Sequence, residues 1–236
     1  MQNLLTENQA RQELVEVSRL CYQRGYICGT EGNFSIRLAD NLVLTTPAGT
    51  CKGRLCAEDL VLTDLNGNSL SEKKPSTELK MHLVAYQTRS DVYAVVHAHP
   101  TVAVGFTVAG VSLAQCVLPE VVCTLGHIPT APYATPSTSE IPDSIRDFVA
   151  KYDAIMLDHH GALTLGKDIF DAYYKLETVE HFAQTMLVAH QLGGPKPLYK
   201  SQVQKLLNIC SVYGLNKPAN SEQLVTAGFC QPDVEN

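Results

Sequence analysis

Apolar residues along the chain recur with two periods, one near 3.6 and one of 2, and the switches between them divide it into elements. Leu14, Val17, Leu20 and Cys21 fall at helical spacing and predict a helix from Glu7 to Gln23. Thr6 can cap it, Gln9 stands where a capping box needs it, and Gly25 follows its end. GTEGNFSIRL then reads as a glycine-rich turn entering an alternating strand, and NLVLTTPAG as its hairpin partner across Ala39-Asp40-Asn41. LVLTDLNG is a further short strand ending at Asn66-Gly67. Leu79, Leu83, Val84 and Tyr86 give the segment Ser76 to Thr88 the pattern of a helix.

DVYAVVHAH, residues 91–99, is apolar enough to be a buried strand with a polar tip, and Pro100 blocks its continuation. Residues 101–110 resume as a helix. AIMLDHHGALTLG holds two strand-like runs around His159-His160-Gly161. A long helix from Asp168 to Leu192 carries Leu176, Val179, Phe182, Ala183, Met186 and Leu187 on one face, and Gly193, Gly194 and Pro195 stop it. Ser201 to Tyr213 is the last predicted helix; beyond Pro218 the pattern is weak.

Strands and helices alternate irregularly, with hairpin signals between some strands. The fold class expected is therefore α/β, a mixed and largely antiparallel central sheet with helices on both faces. No G-x-G-x-x-G joins a strand to a helix, which argues against a Rossmann fold. Residues 1–236 read as one domain, because the stretch 195–236 is too short for a second one and supplies a C-terminal helix and tail.

Composition narrows the function classes. In 236 residues, 45% hydrophobic and 18% charged content excludes disorder as the main state. A net charge of −6 argues against broad nucleic-acid binding, while leaving room for a small anion in a local pocket. No apolar run approaches the ~20 residues of a membrane span. The start, MQNLLTENQA, lacks the basic and apolar regions of a secretory signal. Eight irregularly spaced cysteines without a C-x-x-C read as reduced thiols, so a cytoplasmic location is expected, in free cytosol or in a protein microcompartment alike.

Four features carry chemistry. His97-Ala98-His99 ends an apolar strand, so its two imidazoles face one side as a chelating pair would. One of His159 and His160, which face opposite ways if extended, can add a third nitrogen and leave open positions, the pattern of a catalytic metal site. Pro75-Ser76-Thr77-Glu78 at a helix start offers free N–H groups and hydroxyls to an anion, with Glu78 placed as metal ligand or proton carrier. Gly29-Thr30-Glu31-Gly32-Asn33 and Thr46-Pro47-Ala48-Gly49 are loops whose glycines let backbone N–H groups approach an anion. Taken singly, each is equally a satisfied histidine pair, a helix cap or a tight turn.

In combination and in this order, GTEGNFSIR, TPAG, KPSTELKMH, AVVHAHP, APYAT and HHGAL resemble the class II aldolase/adducin family over residues 10 to 194. The resemblance implies Zn²⁺ bound by His97, His99 and His160, with Glu78 as fourth ligand or catalytic acid/base. It implies a phosphate pocket from Gly32, Asn33, Gly49, Ser76 and Thr77, and a homotetramer with active sites near subunit interfaces. Tyr213-Gly214-Leu215 resembles the C-terminal region of the family's aldolases, where a tyrosine handles the aldehyde oxygen, so the tail completes the site. The reaction implied is reversible cleavage of a ketose 1-phosphate, L-fuculose 1-phosphate or a related deoxyketose 1-phosphate, to dihydroxyacetone phosphate and a short aldehyde. A 4-epimerase of ribulose 5-phosphate, a sugar-phosphate dehydratase and a non-catalytic adducin-like module are the alternatives.

Three positions depart from the pattern. Ala48 stands where the aldolases carry a threonine, and Val117-Leu118-Pro119-Glu120 lacks their tyrosine. Glu120 instead lies where a related dehydratase carries an acidic catalytic residue. Glu31 places a carboxylate inside an anion loop, where it would repel phosphate.

Overall fold

The computed structural model describes residues 5–215 and 217–233, apart from the Tyr213 side chain. Helix α1 (Glu7–Gln23) starts at Thr6 with both halves of the predicted capping box formed. Strands β1 (Asn33–Ala39), β2 (Leu42–Thr45) and β3 (Val61–Thr63) follow as an antiparallel meander. Next come α2 (Leu79–Thr88), β4 (Ala94–Ala98), α3 (Thr101–Val108), α4 (Pro119–Thr124), β5 (Thr130–Ala131) and α5 (Glu140–Val149). The chain continues through β6 (Ala154–Leu157), β7 (Gly161–Gly166), α6 (Ile169–Gln191), α7 (Lys200–Ile209) and α8 (Ser221–Thr226).

The seven strands form one sheet in the order β3-β2-β1-β4-β7-β6-β5. Among the described residues only the β5–β6 strand pair is parallel, so the sheet is mixed and largely antiparallel, as the patterning predicts. Period-2 alternation sorts its residues into two cores. Phe34, Ile36, Val96, Ala98 and Met156 pack with α1, α3 and α6; Val43, Val95, Ile155, Leu163 and Leu165 pack with α2 and α5. His97 shares the second face with Val95, so the sheet itself directs its imidazole toward α2. A third cluster joins Cys116, Val122 and Cys123 to Val203, Leu207, Cys210, Leu224 and Cys230, and thereby seats the C-terminal helices on α4. All eight cysteines are free thiols. Among the described residues no helix is long and apolar enough to cross a membrane.

Helix α2 begins at Leu79, three residues later than its pattern predicts. Ser76–Glu78 instead form a turn in which the Leu79 N–H donates to the Ser76 carbonyl at 3.2 Å, and Glu78 is the cap. Leu187 is 42% exposed rather than packed with the rest of its predicted face, and Val188 and Leu192 beside it are exposed too. At 1.5 Å per residue α6 is about 34 Å long, whereas a six-residue strand spans about 20 Å, so the end of the helix overhangs the sheet.

The central position of α6 is testable. Phe182 is fully buried in the first core. Phe182→Ala is expected to lower the free energy of chemical unfolding by about 3–5 kcal/mol, and a loss below about 1 kcal/mol contradicts the packing described.

Candidate metal centre and anion cavity

The pairing of β4 with β7 sets His97 opposite Leu163 and Ala98 opposite Ala162. In that register His97 Nδ1 donates to the Ala162 carbonyl at 2.9 Å, which leaves the lone pair on Nε2. His99 lies just past the strand, tied by its N–H to the Tyr26 carbonyl at 2.8 Å. Its Nε2 comes 3.1 Å from His97 Nε2. His160 closes the β6–β7 turn, its N–H bonded to the Leu157 carbonyl at 3.1 Å. The turn is made by His159 in the left-handed region (φ 55°), whose exposed ring pairs with Asp158 at 2.9 Å. Of the two adjacent histidines, His160 is therefore the one that reaches the cluster.

The three imidazoles stand 4.8–5.0 Å apart between centroids, and their ligand atoms lie within 4.8 Å of one another. Nitrogens around a tetrahedral zinc-sized ion at about 2.0–2.1 Å are about 3.3 Å apart. His160 Nδ1 is buried without a hydrogen-bond partner among the described residues. Burial holds His97 well below its ordinary value despite the pull of Glu78, and lowers His99 as well. Three imidazoles whose ring nitrogens converge in this way are a donor set for a divalent cation, and these residues fit one.

Glu78 faces the cluster from the α2 cap, with Oε2 3.5 Å from His97 Nε2 and Oε1 3.3 Å from His160 Nε2. Burial acts to raise its carboxyl, but His160, His97 and the Asn33 amide outweigh that and hold it below the usual carboxylate range. Asn33 Nδ2 donates to Glu78 Oε2 at 2.9 Å, and His82 Nε2 donates to Asn33 Oδ1 at 2.6 Å. His82 Nδ1 then accepts from Ser35 Oγ at 2.7 Å, and Tyr86 OH lies 2.7 Å from that hydroxyl. Four buried side chains thus form one hydrogen-bonded line that fixes the orientation of Glu78. The sequence reading missed Ser35, His82 and Tyr86, because polar residues inside apolar runs give no periodic signal.

Gly32, Asn33, Gly49, Ser76 and Thr77 all line one cavity of about 360 Å³, together with Glu78, His99 and His160. The loop at Pro47 is bridged to Pro75, with Ser76 N–H donating to the Thr46 carbonyl at 3.2 Å. Ser76 and Thr77 meet the cavity from this turn and not from the first turn of the helix. Ser137 closes the rim, 3.0 Å from Thr77 Oγ1. Two glycines are required sterically. A Cβ at Gly32 (φ 69°) would meet Ile27 Cγ2 at 2.6 Å and the His97 carbonyl at 2.9 Å. One at Gly161 would meet the Ala98 carbonyl at 2.6 Å, His99 Cδ2 at 2.7 Å and His97 Cε1 at 2.8 Å.

Other predicted residues fall differently. Glu31 lines the cavity with its carboxylate 3.4 Å from His99 Nδ1. Glu120 is exposed on the first turn of α4 and is not among the residues lining the cavity. Tyr213 ends a 3-10 turn after α7, and its side chain lies outside the described residues. Lys52 also lines the cavity, 3% exposed, its Nζ donating to the Thr30 carbonyl at 2.6 Å. Burial pushes its ammonium below the ordinary value, opposed by Cys51 and Glu78.

Two outcomes follow from this geometry. Gly161→Ala and His97→Ala are each expected to weaken divalent-metal retention by about tenfold or more, read by elemental analysis after dialysis. Wild-type metal content in either contradicts the donor set. Burial pushes His82 down to about 3, against ~6.5 in an unfolded chain. As pH falls through 6.5 the unfolded chain takes up a proton that the folded chain refuses, so folding weakens on acidification. Metal-free protein should lose about 2 kcal/mol of unfolding free energy between pH 7 and pH 5, and a pH-independent urea midpoint contradicts the buried neutral ring.

Comparison with known proteins identifies the family. The model of the class II aldolase and adducin N-terminal domain matches residues 12–187. An L-fuculose phosphate aldolase of Methanococcus maripaludis (strain DSM 14266) is 37% identical over 180 residues, 76% of this chain and 97% of its own. A 3-oxo-tetronate 4-phosphate decarboxylase of Pectobacterium atrosepticum is 32% identical over 201 residues, 84% of this chain and 91% of its own. A solved structure of an L-fuculose 1-phosphate aldolase superposes with a TM-score of 0.81 at 27% identity, covering 90% of this chain and 99% of that one. The chain is an enzyme of the class II aldolase/adducin family.

Proposed function

We propose that the protein is a zinc-dependent aldolase that cleaves a ketose 1-phosphate, L-fuculose 1-phosphate or a related deoxyketose 1-phosphate, to dihydroxyacetone phosphate and a short aldehyde. The observation that carries the reading is the shared cavity: His99, His160 and the fixed carboxylate of Glu78 line the same space as the loops around Gly49 and Ser76, with His97 buried behind them in the same cluster. A zinc ion held by His97, His99 and His160, with Glu78 beside it, supplies a Lewis acid for the negative charge that develops at the substrate carbonyl. Breaking C3–C4 sends the bonding pair toward C2, and the proton of the C4 hydroxyl must leave as the aldehyde forms. Glu78 is the group placed to move the proton at C3, its angle set by Asn33. Gly32, Gly49, Ser76 and Thr77 hold the phosphate and so convert remote binding into orientation of the reacting carbons. Asn33, with its amide engaged by Glu78 and His82, contributes to the cradle through its position at the loop end.

In this reading Tyr213 assists at the C4 oxygen and the tail completes the site within a homotetramer. The overhanging apolar end of α6, with Leu192 82% exposed, and the 79% exposed Val212 next to Tyr213 support such an assembly. Glu120, exposed and without a side-chain partner among the described residues, is a further acid/base group toward that aldehyde end.

The decarboxylase relative favours a second reading. Loss of carbon dioxide from a 3-oxo acid leaves a carbanion beside a carbonyl, as does loss of an aldehyde from a 3-hydroxy ketone. One proton carrier and one phosphate cradle serve either cleavage. Zinc-loaded enzyme given L-fuculose 1-phosphate should release dihydroxyacetone phosphate and lactaldehyde faster than it releases carbon dioxide from 3-oxo-tetronate 4-phosphate. The reverse preference selects the decarboxylase, and no turnover of either overturns both readings. Glu78→Gln should lower kcat by about 10²–10⁴ with the fold retained, and normal turnover excludes Glu78 as proton carrier.

A further inference from the structure

The charged side chains lining the anion cavity are unbalanced in a way that singles out one residue. Glu31 and Glu78 both contribute carboxylates, a field that repels a phosphoryl dianion. Among the described residues lining the cavity, Lys52 is the one lysine or arginine. It is 3% exposed and spends one N–H on the Thr30 carbonyl. No carboxylate pairs with it among the described residues. Two other half-buried cations away from the cavity differ: Lys175 pairs with Asp153 and Asp171, and Arg89 with Asp91 and Asp153. A buried ammonium with one neutral acceptor and no carboxylate in contact, only the more distant pull of Glu78, is costly unless a ligand completes its shell. Lys52 follows Gly49 by three residues, so its backbone belongs to the same loop that shapes the cradle, and Thr30 ties it to the loop of Gly32.

We infer that Lys52 is the cationic anchor of this cavity, forming the ion pair with the substrate's phosphoryl group that the glycines and hydroxyls around it lack. The inference rests on the sugar-phosphate reading above and adds the residue that sets the charge requirement of the substrate. Two of the ammonium's three N–H bonds remain for phosphoryl oxygens while the third stays on Thr30. The anchor therefore selects for phosphorylated over neutral sugars, and it contributes to binding in ground and transition states alike, so its loss is felt in KM more than in kcat.

The test compares zinc-loaded wild type with Lys52→Met, which keeps the aliphatic stem and removes the charge. Calorimetric titration uses dihydroxyacetone phosphate and dihydroxyacetone as probes, with inorganic phosphate as a third. The expected result is that the variant binds dihydroxyacetone phosphate and inorganic phosphate about 10- to 100-fold more weakly, binds dihydroxyacetone as wild type does, and keeps its metal content and thermal midpoint. Steady-state turnover should show KM raised with kcat changed by less than about threefold. Equal weakening for phosphorylated and neutral probes, or no weakening for either, overturns the anchor while leaving the sugar-phosphate reading in place. A wild-type protein that binds neither phosphorylated probe overturns that reading and the anchor together. Lys52→Arg provides a second variant: retained phosphate selectivity supports a charge role, and selectivity lost as in Lys52→Met, with the fold intact, overturns it in favour of a packing role.

Discussion

The register between β4 and β7 is the constraint on which the site depends. With His97 opposite Leu163, its ring lies on the α2 face and its Nδ1 reaches the Ala162 carbonyl. A slip of one residue would turn it into the core that Val96 and Ala98 share with α1 and α6. The same pairing brings the turn at His160 beside His97, and Gly161 leaves the space in which the rings meet. Backbone pairing thus performs the assembly that flexible side chains could not hold unaided.

The second requirement is a carboxylate held against burial. Glu78 sits at a helix cap, where a side chain has several available directions, and the line through Asn33, His82, Ser35 and Tyr86 selects one. Each member of that line is buried and paired, so the network adds rigidity without an orphaned polar group along its length. The cavity in front of it combines opposed charges: two carboxylates that favour a cation at the imidazoles, and one lysine that favours an anion at the glycine loops.

Much of this was legible in the sequence. The capping box of α1, the hairpin of β1 and β2 and the extent of α6 follow from local rules, and the structure keeps them. His97 and His99 are legible as a pair because strand geometry fixes their side, although His99 stands one residue past the strand. Other features needed tertiary contacts. Helix α5 carries Ile141, Ile145 and Val149 at helical spacing, but Pro142 masks the pattern; in the first turn its missing N–H costs nothing. Helix α4 has six residues, too few to show a period. Lys52 is invisible because a lone lysine after a glycine turn reads as surface until packing buries it. The choice between His159 and His160 was open on local grounds and is decided by the left-handed residue that makes the turn.

The account stands on one coordination sphere. X-ray absorption at the zinc K edge of the loaded enzyme reads it directly, because nitrogen and sulfur ligands differ by about 0.3 Å in distance to zinc. The account predicts a first shell of nitrogen and oxygen near about 2.0–2.1 Å with the multiple-scattering signature of about three imidazoles. A shell with sulfur near about 2.3 Å, drawn from the eight cysteines of this chain, or one with a single imidazole, contradicts it.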